Sequence, residues 1–188
     1  MSSARGTEEA TGVSIRKAHG FALLDLVFVC GIIGLLCAIA VPRMLLAKQA
    51  AGAASAIGSL RAINSGELTF ALTCGNGFYA PSLTSLAIAP PFSTVPFISP
   101  DLGSADTITK SGYTYQMSGT AFALAPPTCN GLAAGTAAQS FKAGADALEA
   151  GNVRFFATNV GQTIWENNAS LYAAMPEVGT PAVGAPIH

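Results

Sequence analysis

The chain has 188 residues, of which 51% are hydrophobic and only 10% are charged, and its formal net charge is -1. A chain of this length holds one modest domain and one apolar anchor, but not several domains. Its few lysines and arginines form no basic stripe, so the sequence predicts no specific nucleic-acid partner.

The first predicted element is an apolar segment at residues 21–41. At about 1.5 Å per residue, a helix over this range measures roughly 31 Å, which matches the hydrocarbon thickness of a bilayer. A basic cluster precedes the segment and predicts that the N-terminus is cytoplasmic, although Arg43 and Lys48 on the other side weaken the charge asymmetry. The cluster consists of Arg16, Lys17 and His19.

Residues 1–20 differ from an ordinary secretory signal. This leader is polar, and the apolar segment begins only after Gly20, whereas an ordinary signal has its apolar part before the cleavage site. Cleavage at this junction would therefore leave the apolar segment on the mature protein. The alternative is an uncleaved cytoplasmic tail on a signal anchor.

Asp25 lies inside the apolar segment without a basic neighbour. A carboxylate in a membrane costs about 2.5 to 3.5 kcal/mol on insertion scales and is seldom retained without a partner. One explanation is that its side chain extends to the nearby cytoplasmic interface.

The sequence KAHG followed by FALLDLVFVCGIIGLLCAIAVP resembles the class III signal of type IV pilins and type II secretion pseudopilins. The shared pattern is a short basic leader, a glycine before the cut, a phenylalanine after it, a carboxylate four residues further on and a proline near the end of the apolar run. These positions are Gly20, Phe21, Asp25 and Pro42. The family usually has glutamate where this chain has Asp25.

The resemblance implies that a membrane prepilin peptidase cleaves between Gly20 and Phe21 and methylates the new amine of Phe21. Asp25 would neutralise that amine, on the same or a neighbouring subunit, and help to set the axial register of the filament. The resemblance also implies that the helix kinks or melts between Gly34 and Pro42 during assembly. An ordinary bent anchor helix would need the same residues, because glycine and proline weaken any helix.

The implied partners are copies of this chain and related pilins, the peptidase, an inner-membrane assembly platform with its ATPase, and membrane lipid before assembly. The implied location is the bacterial inner membrane as a single-pass precursor, followed by a periplasmic or cell-surface filament.

Residues 43–73 continue the helical pattern and are predicted to be amphipathic. The residues that follow the helical spacing are Ile57, Leu60, Asn64, Leu68 and Ala71. From Cys74 onward the chain is rich in Gly, Pro, Ser and Thr, which predicts an irregular region with a short helical turn at SLTSLA.

Two β-hairpins are predicted after this region. The first is GYTYQMSGTAFALAPP, in which Tyr113, Tyr115 and Met117 alternate before a turn at SG and Phe122 and Leu124 follow it. The second joins NVRFFAT to QTIWENN. The apolar face of these four strands needs a partner, and the distal half of the helix is available, so the expected fold is α+β. The resemblance implies a pilin-like arrangement of these elements.

Two stretches of the domain have weaker patterns. The Ala- and Gly-rich residues between the hairpins predict a surface insertion with helix around residues 141–148. The tail is predicted to be extended or loosely ordered. The expected organisation is a leader at 1–20, a transmembrane and assembly helix at 21–42, its continuation at 43–73, a β domain at 74–175 and the tail at 176–188.

Four cysteines divide into two pairs. Cys74 and Cys129 lie in the soluble part, where a disulfide would close a 55-residue loop and stabilise the fold by about 4 kcal/mol. An oxidising compartment permits this bond, and the alternative is two free thiols. Cys30 and Cys37 lie in the apolar helix and are expected to act as small buried hydrophobic side chains.

The sequence predicts a protein that is not an enzyme and that holds no cofactor or metal. Of the two histidines, His19 lies in the leader and His188 is the last residue of the sequence. No Cys/His or Ser/His arrangement is therefore expected. Asp101 and Asp106 lack a recognisable calcium-ligand spacing, and a solvated loop explains them.

Some surface features have two explanations each. Asn168 begins the glycosylation sequon NAS, a match that chance readily produces in a bacterial chain. Three aromatic residues are either adhesive or part of the core packing. They are Tyr79, Trp165 and Tyr172.

The expected function is a structural subunit of a type IV pilus-like filament, cleaved after Gly20, methylated at Phe21 and polymerised through its N-terminal helix. One alternative is a pseudopilin of a type II secretion system. The other is an uncleaved, signal-anchored periplasmic binding domain.

Overall fold

The computed structural model describes residues 18–91 and 93–187, with side chains from residue 23 onward. Residues 1–17 of the predicted leader, Phe92 and His188 lie outside the described residues. The chain divides into two units, the first ending at Leu46 and the second beginning at Ala47.

One long helix, α1, runs from Ala18 to Thr73 and contains Pro42. It joins the predicted apolar segment and its predicted amphipathic continuation. The chain turns away from the helix over residues 74–77, where Asn76 and Gly77 adopt left-handed backbone conformations with φ of 53° and 90°. The N–H of Gly77 donates to the carbonyl of Ala71 at 2.9 Å, so one of the last helical carbonyls is satisfied.

The second unit adds two short helices and an antiparallel sheet in which each strand pairs with the next one in the chain. The α+β prediction is therefore confirmed, and the sheet has six strands where four were predicted. The helices are α2 (Leu83–Leu86) and α3 (Pro100–Gly103), and the strands are β1 (Thr107–Lys110), β2 (Tyr113–Ser118), β3 (Lys142–Ala147), β4 (Phe155–Asn159), β5 (Ile164–Asn167) and β6 (Ala185–Pro186). The predicted turn at SLTSLA is α2.

The core forms where the distal part of α1 packs against one face of this sheet. The predicted amphipathic face is largely right, because Leu60, Asn64 and Ala71 are buried, whereas Leu68 is 40% exposed. Residues three or four apart lie on one side of a helix, and this side supplies the apolar contacts. The core residues of α1 are Ala53, Ala56, Leu60, Ile63 and Phe70, and those of the sheet include Ile108, Tyr113, Tyr115, Met117, Ala143, Ala145, Phe156 and Ile164.

The first predicted hairpin is wrong, because its turn lies at a different Ser-Gly pair. The structure joins β1 to β2 through Ser111 and Gly112, with φ of 53° and 80°. Two consecutive positive φ values are the requirement of a tight two-residue hairpin turn. Phe122 and Leu124, predicted to form the second strand, lie in the long connection between β2 and β3.

The predicted helix at residues 141–148 is also wrong, because this stretch is β3, a strand between β2 and β4. Ala143 and Ala145 are fully buried and lie opposite Met117 and Tyr115 on β2. The small side chains of β3 therefore accommodate the large ones of its neighbour, and this packing outweighs the helical propensity of alanine.

The second predicted hairpin is confirmed by β4 and β5, which pair antiparallel across the predicted turn. Part of the predicted extended tail joins the sheet beyond β5. Its Ala185 and Pro186 pair with Glu166 and Trp165. Proline is tolerated there because β6 is an edge strand, where one row of N–H groups has no strand to meet.

Candidate membrane and assembly segment

The first part of α1 is exposed along its whole length. Every side chain from residue 23 to residue 48 is solvent-accessible in the isolated chain. Among the described residues, α1 is the one helix that is long and apolar enough to cross a membrane. An apolar surface of this extent is stable only when lipid or another apolar surface covers it. The large apolar side chains include Leu23, Leu24, Leu26, Val27, Phe28, Ile32, Ile33, Leu35, Leu36 and Ile39.

Asp25 lies on this segment and is exposed. No described residue forms an ion pair or a hydrogen bond with it. The peptide bond between Gly20 and Phe21 lies within the helical backbone of α1, and the side chain of Phe21 lies outside the described part. Residues four apart share a helix face, so Asp25 lies about one turn from the backbone nitrogen of Phe21.

The predicted weak region of the helix is helical in the structure. α1 continues through Gly34 and Pro42, and a Cβ atom added at Gly34 or Gly31 would meet nothing within 4 Å. Packing within the chain therefore does not require either glycine. Melting of the segment between Gly34 and Pro42 during assembly stays a prediction.

The predicted disulfide is confirmed. Cys74 follows the last residue of α1 and bonds to Cys129 in the connection between β2 and β3, with the two Cα atoms 4.8 Å apart. The bond therefore ties the end of the helix to a connection of the sheet. Cys30 and Cys37 are free and exposed on α1, so their predicted burial requires lipid or a neighbouring helix.

Replacing Cys74 and Cys129 together with serine is expected to lower the free energy of unfolding by about 4 kcal/mol, because the unfolded chain loses a 55-residue closed loop. At about 2 kcal/mol per molar urea, the midpoint falls by roughly 2 M. The fluorescence of the single tryptophan, Trp165 on β5, measures this in detergent micelles. The matched control replaces Cys30 and Cys37 with serine and is expected to leave the midpoint unchanged. Equal midpoints for both double variants would contradict the stabilising role of the bond.

Glu67, the most deeply buried charged side chain among the described residues, was not among the predicted site residues. Glu67 lies on α1 and is fully buried, and its Oε2 accepts a hydrogen bond of 2.9 Å from the backbone N–H of Ala80. Its Oε1 has no partner among the described residues. Burial raises the pKa of Glu67 to about 8, and the bond from Ala80 opposes this rise. The sequence did indicate that Glu67 lies on the buried face of α1, because this residue continues the helical spacing of Leu60 and Asn64.

The two aspartates considered for calcium have structural partners instead. Asp106 accepts hydrogen bonds from the hydroxyl and the backbone N–H of Thr84, at 2.6 and 3.2 Å, and so holds the first turn of α2. The hydrogen bond from the Thr84 hydroxyl is the main reason that the pKa of Asp106 is lowered. Asp101 lies 3.9 Å from the Nζ atom of Lys110. Within the described ranges, no group of three potential ligands is placed to hold a metal ion.

The three aromatic residues considered for adhesion are partly buried and have packing partners. Tyr79 lies with its ring 5.3 Å from that of Phe141. The ring of Tyr172 lies 5.1 Å from the Nζ atom of Lys142, within the range of a cation–π contact. Trp165 packs against a small cluster of Ala157, Leu171 and Met175.

The fold and the segment define a class of protein: an α+β domain that continues from one helix long and apolar enough to serve as a single-pass membrane anchor. Comparison of the chain with known protein families, with curated proteins and with solved structures finds no match.

Proposed function

We propose that this chain is the structural subunit of a type IV pilus-like filament, cleaved after Gly20, methylated at Phe21 and polymerised through α1. The observation that carries the proposal is the exposed apolar segment from residue 23 to residue 48, which directly follows the Gly20–Phe21 junction and carries Asp25. The resemblance of the same residues to the class III signal supports it.

The exposed segment is the part of α1 available to other chains. Beyond residue 52 one face of α1 is occupied by its own sheet, as the burial of Ala53, Leu60 and Phe70 shows. Before that residue, the side chains have no contacts of comparable extent. Lipid covers this segment in the precursor, and the helices of neighbouring subunits cover it in the filament. Both surroundings are apolar, so the exchange loses little hydrophobic stabilisation.

Cleavage supplies the missing partner of Asp25. Removal of residues 1–20 creates a positive amine on Phe21, about one helical turn from the carboxylate of Asp25. A charge inside an apolar filament core is costly, and a paired opposite charge offsets much of that cost. An entering subunit is thus favoured at the position where its amine meets a carboxylate, on the same or a neighbouring chain. An assembly platform and its ATPase supply the work of extraction from the inner membrane.

Two measurements on cells that produce the full chain test the proposal. The intact mass of the membrane protein is expected to show loss of residues 1–20 and one added methyl group on Phe21. Filaments sheared from the cell surface are expected to contain peptides of residues 47–187. Retention of residues 1–20 would contradict the proposal and favour a signal-anchored periplasmic domain. Absence from sheared filaments, together with a block in protein export on deletion, would favour a secretion pseudopilin.

Replacing Gly34 with alanine is expected to reduce filament yield without affecting the folded domain. Alanine stabilises a helix by about 1 kcal/mol relative to glycine, so it opposes local melting. The added methyl group meets open space, so it introduces no clash. Gly58 is the matched control, because it lies exposed on the same helix and its added Cβ also meets nothing within 4 Å. Equal yields from Gly34→Ala and Gly58→Ala would show that melting at Gly34 plays no part in assembly.

A further inference from the structure

A five-residue sequence pattern begins in β5 and extends into the loop that follows it. Residues 166–170 read Glu-Asn-Asn-Ala-Ser, so the sequon at Asn168 has a carboxylate two residues before the acceptor and proline at neither intervening position. The three-residue sequon alone is common by chance. The preceding carboxylate makes the pattern longer and supplies a charged group that a basic transferase site would recognise.

The acceptor residue is exposed in the folded domain, so an oligosaccharide attached to it can extend into solvent. β5 ends at Asn167, and Asn168 begins an exposed bend. Among the hydrogen bonds of the described residues, none uses the side-chain amide of Asn168, in contrast to the nearby Asn159, whose amide donates to Pro176 and Gly179. A modification of this amide would therefore break none of the hydrogen bonds among the described residues.

We infer that Asn168 is the acceptor of an N-linked oligosaccharide, transferred from a polyprenyl-diphosphate-linked donor. The side-chain Nδ2 of Asn168 attacks C1 of the first sugar. The new N–C1 bond forms as the bond between C1 and the diphosphate oxygen breaks, the amide proton passes to a base of the transferase, and polyprenyl diphosphate leaves. No oxidation or reduction is involved. The inference rests on the proposed function only in that residue 168 must leave the cytoplasm.

The folded domain holds the two recognition groups that flank the acceptor. Both carboxylate oxygens of Glu166 accept hydrogen bonds from the guanidinium of Arg154, one of them at 2.9 Å from Nη2. The hydroxyl of Ser170 donates to Asp146 at 2.6 Å. Glu166 is also part of β5, between β4 and β6. Transfer therefore takes place before β5 joins the sheet, while these groups are free.

The test expresses the full chain in a bacterium with a prepilin peptidase, an inner-membrane oligosaccharyltransferase that requires a carboxylate two residues before the asparagine, and its lipid-linked oligosaccharide. Intact-mass measurement of the membrane-extracted protein is expected to show the mass of one added oligosaccharide. Asn168→Gln is expected to lose it, and so is Glu166→Gln. The matched control Asn167→Gln is expected to keep it.

The same spectra separate this inference from the proposed function. Chains that have lost residues 1–20 and formed the Cys74–Cys129 bond, but that carry no oligosaccharide, would overturn the inference and leave the filament proposal standing. Chains that keep residues 1–20 and carry the oligosaccharide would support the inference and contradict the filament proposal.

A variant with a weakened fold tests the order of events. In the double variant Cys74→Ser and Cys129→Ser, β5 joins the sheet less stably, so the fraction of chains carrying the oligosaccharide is expected to equal or exceed that of the unaltered chain. A lower fraction would show that the transferase needs the folded domain, and it would overturn the proposed order.

Discussion

Replacing Asp25 with alanine is expected to abolish filament formation while membrane insertion stays intact or improves. Insertion improves because an intramembrane carboxylate costs about 2.5 to 3.5 kcal/mol. In the proposed filament, assembly fails because the amine of Phe21 would be left unpaired in an apolar core, at a cost of about 3 to 5 kcal/mol. This corresponds to a loss of more than about 100-fold in the association constant. The measurement is the yield of sheared filaments relative to the amount of processed protein in the membrane.

Two further substitutions at Asp25 separate charge from size. Asn has the shape of Asp without its charge, so Asp25→Asn is expected to fail as alanine does. Asp25→Glu keeps the charge and extends the reach by one methylene group, so it is expected to retain filaments. Normal filaments from both neutral variants would refute the charge-pairing role and favour a side chain that only extends to the membrane interface.

Raising the pH from 5 to 8 is expected to lower the free energy of unfolding by roughly 3 to 4 kcal/mol through Glu67 alone. The pKa of Glu67 is about 8 in the folded chain, whereas the ordinary pKa of a glutamate side chain is 4.5. Between these values the folded state holds a proton that the unfolded state releases, so stability falls as the pH rises. The contribution is complete below pH 4.5 and is lost as the pH passes through 8.

Urea unfolding in detergent micelles at several pH values, followed by the fluorescence of Trp165, measures this dependence. Glu67→Gln removes the titrating group. Between pH 5 and 8, the free energy of unfolding of this variant is therefore expected to fall by roughly 3 to 4 kcal/mol less than that of the unaltered chain. Glu149→Gln is the control, because its carboxylate is partly exposed and pairs with Lys48. A pH dependence that survives in Glu67→Gln would show that another group is responsible.

Glu67 shows why a buried charge is hard to recognise in a sequence. Its position on the apolar face of α1 was visible from the helical spacing, but charged residues on such faces often extend to solvent. The outcome depends on what covers the side chain. Here the chain that returns after α1 places Ala80 over it and closes the site, with one hydrogen bond to Oε2.

Two Ser-Gly pairs near the start of the sheet show the same limit for turns. Ser111–Gly112 and Ser118–Gly119 carry the same local signal, yet only the first pair has the positive φ values of a hairpin turn. Gly119 serves close packing instead, because a Cβ atom there would lie 2.7 Å from the Cβ of Ala138. A glycine demanded by packing and one demanded by φ look identical in a sequence.

The strand β3 shows how packing overrides composition. Residues 142–147 are rich in alanine, which favours helix. In the sheet, Gly144 leaves room for Tyr172, because a Cβ atom at Gly144 would lie 2.7 Å from the Cβ of that residue. The small side chains were visible in the sequence, but the large side chains that require them come from β2 and from Tyr172, which follows β5.

Sequence patterns alone predicted the long helix, its apolar first part, its end near Cys74 and the hairpin of β4 and β5. These features depend on length, hydrophobicity and periodicity within one continuous stretch. The turn between β1 and β2, the strand β3 and the burial of Glu67 became visible only in the three-dimensional fold. Each of these depends on a contact between residues far apart in the chain, and a local pattern does not specify which distant residue will complete it.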